Sequence, residues 1–286
     1  MGNTIPVDEG AVGGHAPRNS GVASLASPKP QHRRFLRFAA ASLVRHEKPA
    51  KTFGRKAASY RKILVLFAMA LLALWVLALS WPRFLASVRY QPVDTALARY
   101  YADNEIPSDR LLVLIRFANE AIGIHDHYRF HDGLSQLHYL RGLDPQTAAR
   151  ERRDAYRQAE AEAVSSLTQA PAQPGAWLQL ATVRWILRDE PERVIEPWKM
   201  SIFTGRTHSS LYSRRVEMGL AHRAFLDAES VAMLRDQLLL AWRARPGVLA
   251  QVLARRDPQL SVTRGLLEAS DPAALNEMEA WLEKLR

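Results

Sequence analysis

The sequence predicts an all-α membrane protein, with a single transmembrane helix followed by an α-helical domain. One uninterrupted apolar run, residues 63–81, has the length and composition of a membrane span. After residue 92, apolar residues recur at steps of three and four, and no Asn-Gly hairpin signal or alternating strand pattern of useful length interrupts them. We therefore divide the chain into a tail (1–62), a membrane segment (63–81) and a helical domain (92–286).

The basic charge of the chain is concentrated in the tail. Residues 1–62 contain 12 Lys and Arg but only three Asp and Glu. The whole chain has 39 basic and 29 acidic residues, which leaves 27 against 26 for residues 63–286. This distribution argues against a basic nucleic-acid-binding domain, so we expect no nucleic acid among the partners. The chain has no cysteine, which excludes disulfides, a thiol nucleophile and a Cys-ligated zinc site.

The tail is predicted to be disordered and cytoplasmic. Residues 1–30 are rich in Gly, Pro, Ser and Ala, a composition that buries too little apolar surface to fold. Residues 31–46 mix aromatic and aliphatic residues with arginines, which indicates a basic amphipathic helix on anionic lipid headgroups. The alternative is a linker whose cations only fix the topology. The predicted membrane-surface residues are Arg33, Arg34, Phe35, Arg37, Phe38, Lys56, Arg61 and Lys62.

The membrane segment reads ILVLFAMALLALWVLALSW and carries no charge. Its nineteen residues span about 28 Å as a helix, close to the ~30 Å hydrocarbon core. Six Lys and Arg precede it within fifteen residues, whereas only Arg83 and Arg89 follow it within the same distance. The positive-inside rule therefore predicts a single-pass protein with a cytoplasmic N-terminus and an exported C-terminal domain. The high content of Ala, Arg and Leu and the lack of eukaryotic signals indicate a bacterial source, so we expect the inner membrane and a periplasmic domain. A signal peptide cleaved near Ala78-Leu79-Ser80 is the alternative, but its 62-residue leader is far longer than an ordinary one.

The domain after residue 92 is predicted to consist of helices of about 12–20 residues separated by short breaks. Periodic apolar runs cover 109–122, 147–169, 175–188 and 229–244, and prolines mark most of the breaks between them. Such a series favours antiparallel helix pairs stacked into a solenoid. The arginine pairs Arg152-Arg153 and Arg214-Arg215 are interpreted as solvated charges on helix surfaces.

Residues 159–181, AEAEAVSSLTQAPAQPGAWLQLA, resemble the junction between two tetratricopeptide repeats. Ala159 and Pro171 take the positions of the small residue and the turn proline, and Trp177 follows six residues later. Leu180 and Ala181 fit the Leu–small pair of the next first helix.

The resemblance covers one repeat junction in the domain. Arg184 stands where the family prefers tyrosine, and Arg193 and Pro197 occupy places that call for alanine and an aromatic residue. The resemblance implies a degenerate TPR-like solenoid that binds proteins, and an unrelated helical bundle is the alternative.

The segment from His125 to His138 contains the only candidate metal ligands that we single out. His127 and His131 share one face of a helix at a spacing of four, and His138 returns near that face two turns later. There is no HExxH arrangement, and a solvated helix face explains the run equally well. Because catalytic motifs such as GxSxG and phosphate-binding loops are also absent from the sequence, we expect neither enzymatic activity nor a cofactor.

The sequence therefore predicts a non-enzymatic scaffold, anchored in the membrane, whose helical domain binds protein partners in the bacterial envelope. The architecture is comparable with that of accessory proteins in exopolysaccharide or other surface-polymer assembly. Two alternatives are an exported metal-dependent enzyme that uses the His125–His138 segment and a signalling transducer that acts through the basic tail. The sequence identifies neither the partner nor the oligomeric state.

Overall fold

The computed structural model describes the backbone of residues 53–102 and 105–285. The chain divides into two compact units, 1–58 and 59–286, and of the first unit only a short helical end is described. The predicted disordered segment and amphipathic helix, with Arg33, Arg34, Phe35, Arg37 and Phe38, lie outside the described residues.

The all-α prediction is confirmed for this part of the chain, which contains no strand. The helices are α1 (Phe53–Tyr100), α2 (Ser108–Ile124), α3 (Tyr128–Leu143), α4 (Ala149–Gln169), α5 (Pro174–Leu187), α6 (Pro191–Thr204), α7 (Tyr212–Ala221), α8 (Ala228–Ala244), α9 (Pro246–Arg256), α10 (Ser261–Leu267) and α11 (Pro272–Leu285). From α2 to α9, each helix packs against the next one along the chain.

Helix α1 is long and apolar enough to cross a membrane. From Tyr60 to Tyr100 it has 41 residues, about 62 Å at 1.5 Å per residue. Every side chain of the predicted span, 63–81, is exposed. Exposed apolar side chains over this length are unfavourable in water and favourable in lipid.

The same helix continues from the predicted span into the packed domain. Pro82 and Pro92 both lie inside α1, whereas the sequence placed the start of the helical domain at residue 92. Ala86 and Tyr90, which precede that position, are already buried in the core formed by α1, α2 and α3. A proline removes one helical hydrogen bond. Burial of side chains such as Ala86 and Tyr90 offsets that loss, so α1 continues through both prolines.

A glycine on α3 makes room for the side chain of Tyr90 from α1. A Cβ atom on Gly133 would lie 1.6 Å from Oη of Tyr90, so no other residue fits there without movement. The ring of Tyr90 packs against that of Phe130, with the centroids 4.6 Å apart. Helix α1 therefore shares one core with α2 and α3.

The residues that resemble a repeat junction lie in a helix–turn–helix formed by α4 and α5. Ala159, Leu180 and Ala181 are buried in the helices, and Pro171 lies in the turn. The indole N–H of Trp177 donates to the carbonyl of Pro171 at 2.7 Å, which ties the turn to α5. This arrangement is what the resemblance implies at one junction, and membership of the repeat family stays a prediction.

The core of α6, α7 and α8 contains a buried arginine. Arg215 has no exposed surface, so its interpretation as a solvated charge is wrong. Its guanidinium donates to Oγ of Ser201 (2.9 Å), to the carbonyl of Gly205 (3.0 Å) and to Oε1 of Gln237 (3.1 Å). It also donates to the carbonyl of Ser201. Burial lowers the pKa of Arg215 to about 10, so the group is still charged at neutral pH.

Candidate protein-binding cleft

A cleft of about 610 Å³ lies between the C-terminal part of α1 and one face each of α3, α5 and α7. The lining residues recur at helical steps of three and four, so each helix contributes a single face. They are Tyr90, Asp94, Leu97, Ala98 and Tyr101 from α1 and the turn after it, Arg129, Asp132, Gly133, Gln136 and Tyr139 from α3, Gly175, Leu178, Gln179 and Thr182 from α5, and Leu211 and Arg214 at the start of α7.

Phenol side chains form much of the wall around Asp132. Tyr90, Tyr101 and Tyr139 all line the cleft. Tyr90 is buried, which raises the pKa of its phenol, whereas Tyr101 is 69% exposed. These phenols stay neutral at physiological pH, with a ring face for packing and a hydroxyl for hydrogen bonding.

Most charges in the cleft are paired. The guanidinium of Arg129 donates to Oδ2 of Asp94 at 2.8 Å. Arg214 donates to Oε2 of Glu217 at 3.0 Å, and its guanidinium carbon lies 5.3 Å from the ring centroid of Trp185. Asp94 and Arg129 cancel each other's charge, whereas Glu217 also pairs with Arg256 at 3.0 Å, so that group of three keeps one positive charge.

Asp132 differs from these residues because it has no hydrogen bond or ion pair with any residue that the structure describes. Asp132 is exposed to solvent at the surface of the cleft, although the atoms that surround its carboxyl raise its pKa to about 6. Nε2 of Gln179, by contrast, is buried, and it too has no hydrogen-bond partner among the described residues. Buried polar groups in native proteins are usually partnered, so Nε2 of Gln179 marks a place where a ligand or a water molecule supplies the partner.

The three candidate metal-binding histidines have separate roles. His127 precedes the first turn of α3, where its Nδ1 accepts from the backbone N–H of Arg129 at 3.3 Å. His138 is 6% exposed; burial lowers its pKa to about 4, and its Nδ1 has no partner within the described chain.

His131 links the α2–α3 turn to α4. Its Nε2 lies 2.8 Å from Oδ1 of Asp126 and its Nδ1 lies 2.6 Å from Oε2 of Glu162. The hydrogen bond with Glu162 raises the pKa of His131. Among residues 60–102 and 105–284, no three or more His, Asp or Glu side chains are grouped so that they could hold a metal ion.

The remaining predicted membrane-surface residues lie on α1. Arg61 and Lys62 are exposed immediately before the span, and Lys56 belongs to the helix, although its side chain is not described. At the other end of the span, Trp81 and Phe84 are exposed with their ring centroids 5.8 Å apart. Aromatic residues in such positions are typical of a membrane–water interface.

Reasoning from the sequence did not identify the cleft. Asp132 lies in the segment from His125 to His138, which was considered only for metal binding. Arg214 was interpreted as a solvated charge, and Gln136 and Gln179 were given no role. The spacing of Asp132 and Gln136 on one face of a helix was the available signal. Without the position of α1, that signal does not distinguish a cleft from a solvated surface.

No protein-family model matches this chain, and no significantly similar curated protein was found. Function is therefore inferred from the geometry of the cleft and from the apolar helix beside it.

Proposed function

We propose that this protein is a membrane-anchored scaffold whose cleft binds an extended segment of a protein partner in the bacterial envelope. The observation that carries the proposal is that α1, the helix able to span a membrane, also forms one wall of the cleft. A ligand in the cleft therefore contacts the anchor helix as well as α3, α5 and α7.

The shape and lining of the cleft support a peptide-like ligand. Its volume lies within the roughly 300–1,000 Å³ common for binding pockets. Stacked helices present extended grooves of this kind to proteins. Tyr101 offers a ring and a hydroxyl, while the side-chain amide of Gln136 suits main-chain amides.

The charge asymmetry around the span supports an inner-membrane location with the domain in the periplasm. Cations that precede the span are retained in the cytoplasm during insertion. Anchoring confines the cleft to a layer near the membrane, which raises its effective concentration for partners in the same membrane. An accessory role in exopolysaccharide or surface-polymer assembly fits this arrangement and is proposed by analogy of architecture alone.

Site-specific photo-crosslinking tests the proposal. A benzophenone amino acid replaces Ala98, an exposed residue that lines the cleft, in the full-length protein within its native membrane. Ala161, an exposed alanine on α4 that does not line the cleft, is the matched control. We expect the Ala98 position alone to give an adduct, and mass spectrometry should place it on an extended segment of an envelope protein. No adduct, or the same adducts from both positions, would contradict the proposal.

A further inference from the structure

We infer that one end of the helical domain lies in the phospholipid headgroup layer beside the span, where Arg83 pairs with a lipid phosphate. This lipid-contact surface consists of four residues on α1, Arg83, Phe84, Leu85 and Val88, and of Ile124 at the end of α2. The inference rests on the membrane anchor in the proposed function, and it adds a second contact between the domain and the membrane that does not involve the cleft.

The packed domain begins almost directly after the predicted span. Helix α1 continues through Trp81, and Ala86, five residues later, is already fully buried. Five residues of helix correspond to about 8 Å. The headgroup layer on each side of a bilayer is about 5–8 Å thick. With α1 in the membrane, the near end of the domain therefore lies at the height of the headgroups.

The α2–α3 turn is at that near end. Arg89 on α1 forms an ion pair with Glu120 on α2. Arg89 lies 11 residues before the end of α1 and Glu120 lies 12 residues after the start of α2, so the two helices run antiparallel. Helix α2 therefore returns toward the span, and Ile124 lies about 6 Å nearer to it than Glu120 does. Burial lowers the pKa of His127 in the turn, and the charge of Arg83 contributes to the lowering, which indicates that Arg83 lies beside the turn.

Exposed apolar side chains continue along α1 past the span. Phe84, Leu85 and Val88 are exposed at spacings of three and four, so they share one face of the helix. The opposite face of this part of α1 is buried against α2 and α3. Val88 lies seven residues after Trp81, so the exposed apolar face extends about 10 Å beyond the predicted span. Such a face is unfavourable in water, and its continuity with the span indicates lipid, rather than another protein, as its partner.

Arg83 carries the only charge of the lipid-contact surface. Its side chain is exposed, and its guanidinium has no hydrogen bond or ion pair with any residue that the structure describes. Asp126, the acid in the neighbouring turn, is already bound, because its Oδ1 lies 2.8 Å from Nε2 of His131 and accepts from Gln169 at 2.7 Å. The surface is therefore complementary to an anion. A guanidinium binds phosphate through two parallel hydrogen bonds, and phosphate is the anionic group that phospholipid headgroups share.

The first test measures how close single sites lie to the headgroups, with the full-length protein in nanodiscs of phosphatidylcholine and phosphatidylglycerol. Because the chain has no cysteine, single cysteines at Ile124 and Leu143 carry a fluorescent label, and the quencher is a nitroxide on the lipid headgroup. Leu143, at the far end of α3, is the matched control, since the two side chains are 42% and 48% exposed. Helix α3 has 16 residues, about 24 Å, so we expect at least about fivefold stronger quenching for Ile124→Cys than for Leu143→Cys. Equal quenching at the two sites, or none at Ile124→Cys, would overturn the inference.

The second test detects the phosphate contact by solid-state NMR of the full-length protein in liposomes of the same lipids. With arginine isotopically labelled at Cζ, lipid phosphorus dephases the signals of those guanidinium groups that contact a phosphate. Arg83→Gln should remove the share of one arginine from the dephased signal. Arg153→Gln, at an exposed position on α4, is the matched control and should leave that signal unchanged. A dephased signal that is the same in Arg83→Gln as in the parent would overturn the pairing of Arg83 with phosphate.

A third label separates this inference from the proposed function. A label at Ala73→Cys, near the middle of the predicted span, should be quenched by a nitroxide on the lipid acyl chain. If it is not quenched, the membrane anchor is wrong. If it is quenched while Ile124→Cys behaves as Leu143→Cys does, the anchor stands and the lipid-contact surface is wrong. The crosslink at Ala98 reports on the cleft alone, so its failure contradicts the scaffold and leaves the lipid contact in place.

Discussion

Replacement of Arg215 by methionine is expected to destabilise the domain strongly. The guanidinium donates four hydrogen bonds, of which three reach Ser201 and Gly205 at the C-terminal end of α6 and one reaches Gln237 on α8. The carbonyls at a helix C-terminus carry partial negative charge, which explains how a buried cation is held without a carboxylate.

The magnitude follows from two opposing terms. Charge-assisted hydrogen bonds contribute about 1.5–3 kcal/mol each, so four of them amount to about 6–12 kcal/mol before relaxation. Burial of the charge costs about 3 kcal/mol, from the lowering of the pKa of Arg215 to about 10. Because hydrogen bonds in one network are less than additive when lost together, we expect a net loss of about 3–5 kcal/mol.

The assay is thermal unfolding of the full-length protein in detergent, followed by circular dichroism. A loss of 3–5 kcal/mol corresponds to a decrease in Tm of roughly 6–20 °C for a domain of this size. Arg153→Met, at an exposed position on α4, is the control and should change the free energy of unfolding by less than about 0.5 kcal/mol. A Tm for Arg215→Met within about 2 °C of the parent would refute the role assigned to this network.

Two further substitutions test the packing and the buried histidine. Gly133→Leu should cost about 1–3 kcal/mol, since even its Cβ would overlap the hydroxyl of Tyr90. Gly265→Ala, with nothing within 4 Å of the added Cβ, should be neutral or stabilising in the same unfolding assay. Equal effects would contradict the packing of the Tyr90 side chain against Gly133. His138 has a folded pKa of about 4, below its unfolded value, so the unfolded chain binds more protons and stability falls as pH drops from about 6.5 to 4. The test compares the free energy of unfolding at pH 7.5 and pH 4.5, and His138→Leu should reduce the difference between the two by about 3 kcal/mol. An unchanged pH dependence would contradict the burial of a neutral imidazole.

The parts of the structure that follow from local sequence were predicted correctly. The apolar composition of residues 63–81 is sufficient to identify a helix able to cross a membrane, because no other element tolerates so many exposed apolar side chains. Apolar periodicity likewise identified an all-helical domain, because that pattern depends only on residues a few positions apart.

Features that depend on distant residues were not predicted. The continuation of α1 through Pro92 depends on burial of Tyr90 against Phe130, and this tertiary contact overrides the local preference of proline for a helix start or a break. Arg215 looked solvated because its acceptors lie 10 to 22 residues away in the chain. The cleft requires the relative positions of α1, α3, α5 and α7, which no periodicity within one helix contains.

The use of the histidines between His125 and His138 also depends on distant residues. Their spacing placed His127 and His131 on one face of a helix. In the structure, His127 precedes α3, and His131 pairs with Asp126 and Glu162. The identity of these partners depends on the packing of α4 against α3. Spacing alone therefore did not indicate how these side chains are used.

The central claim is that α1 crosses the membrane and carries the cleft on the periplasmic side. Because the chain has no cysteine, single cysteines introduced at Ser27 in the tail and at Ala161 on α4 report topology without background. We expect a membrane-impermeant maleimide to label Ala161→Cys in intact spheroplasts and Ser27→Cys only after permeabilisation. Labelling in the reverse order, or a mature chain that lacks residue 27 and washes off the membrane, would contradict the account.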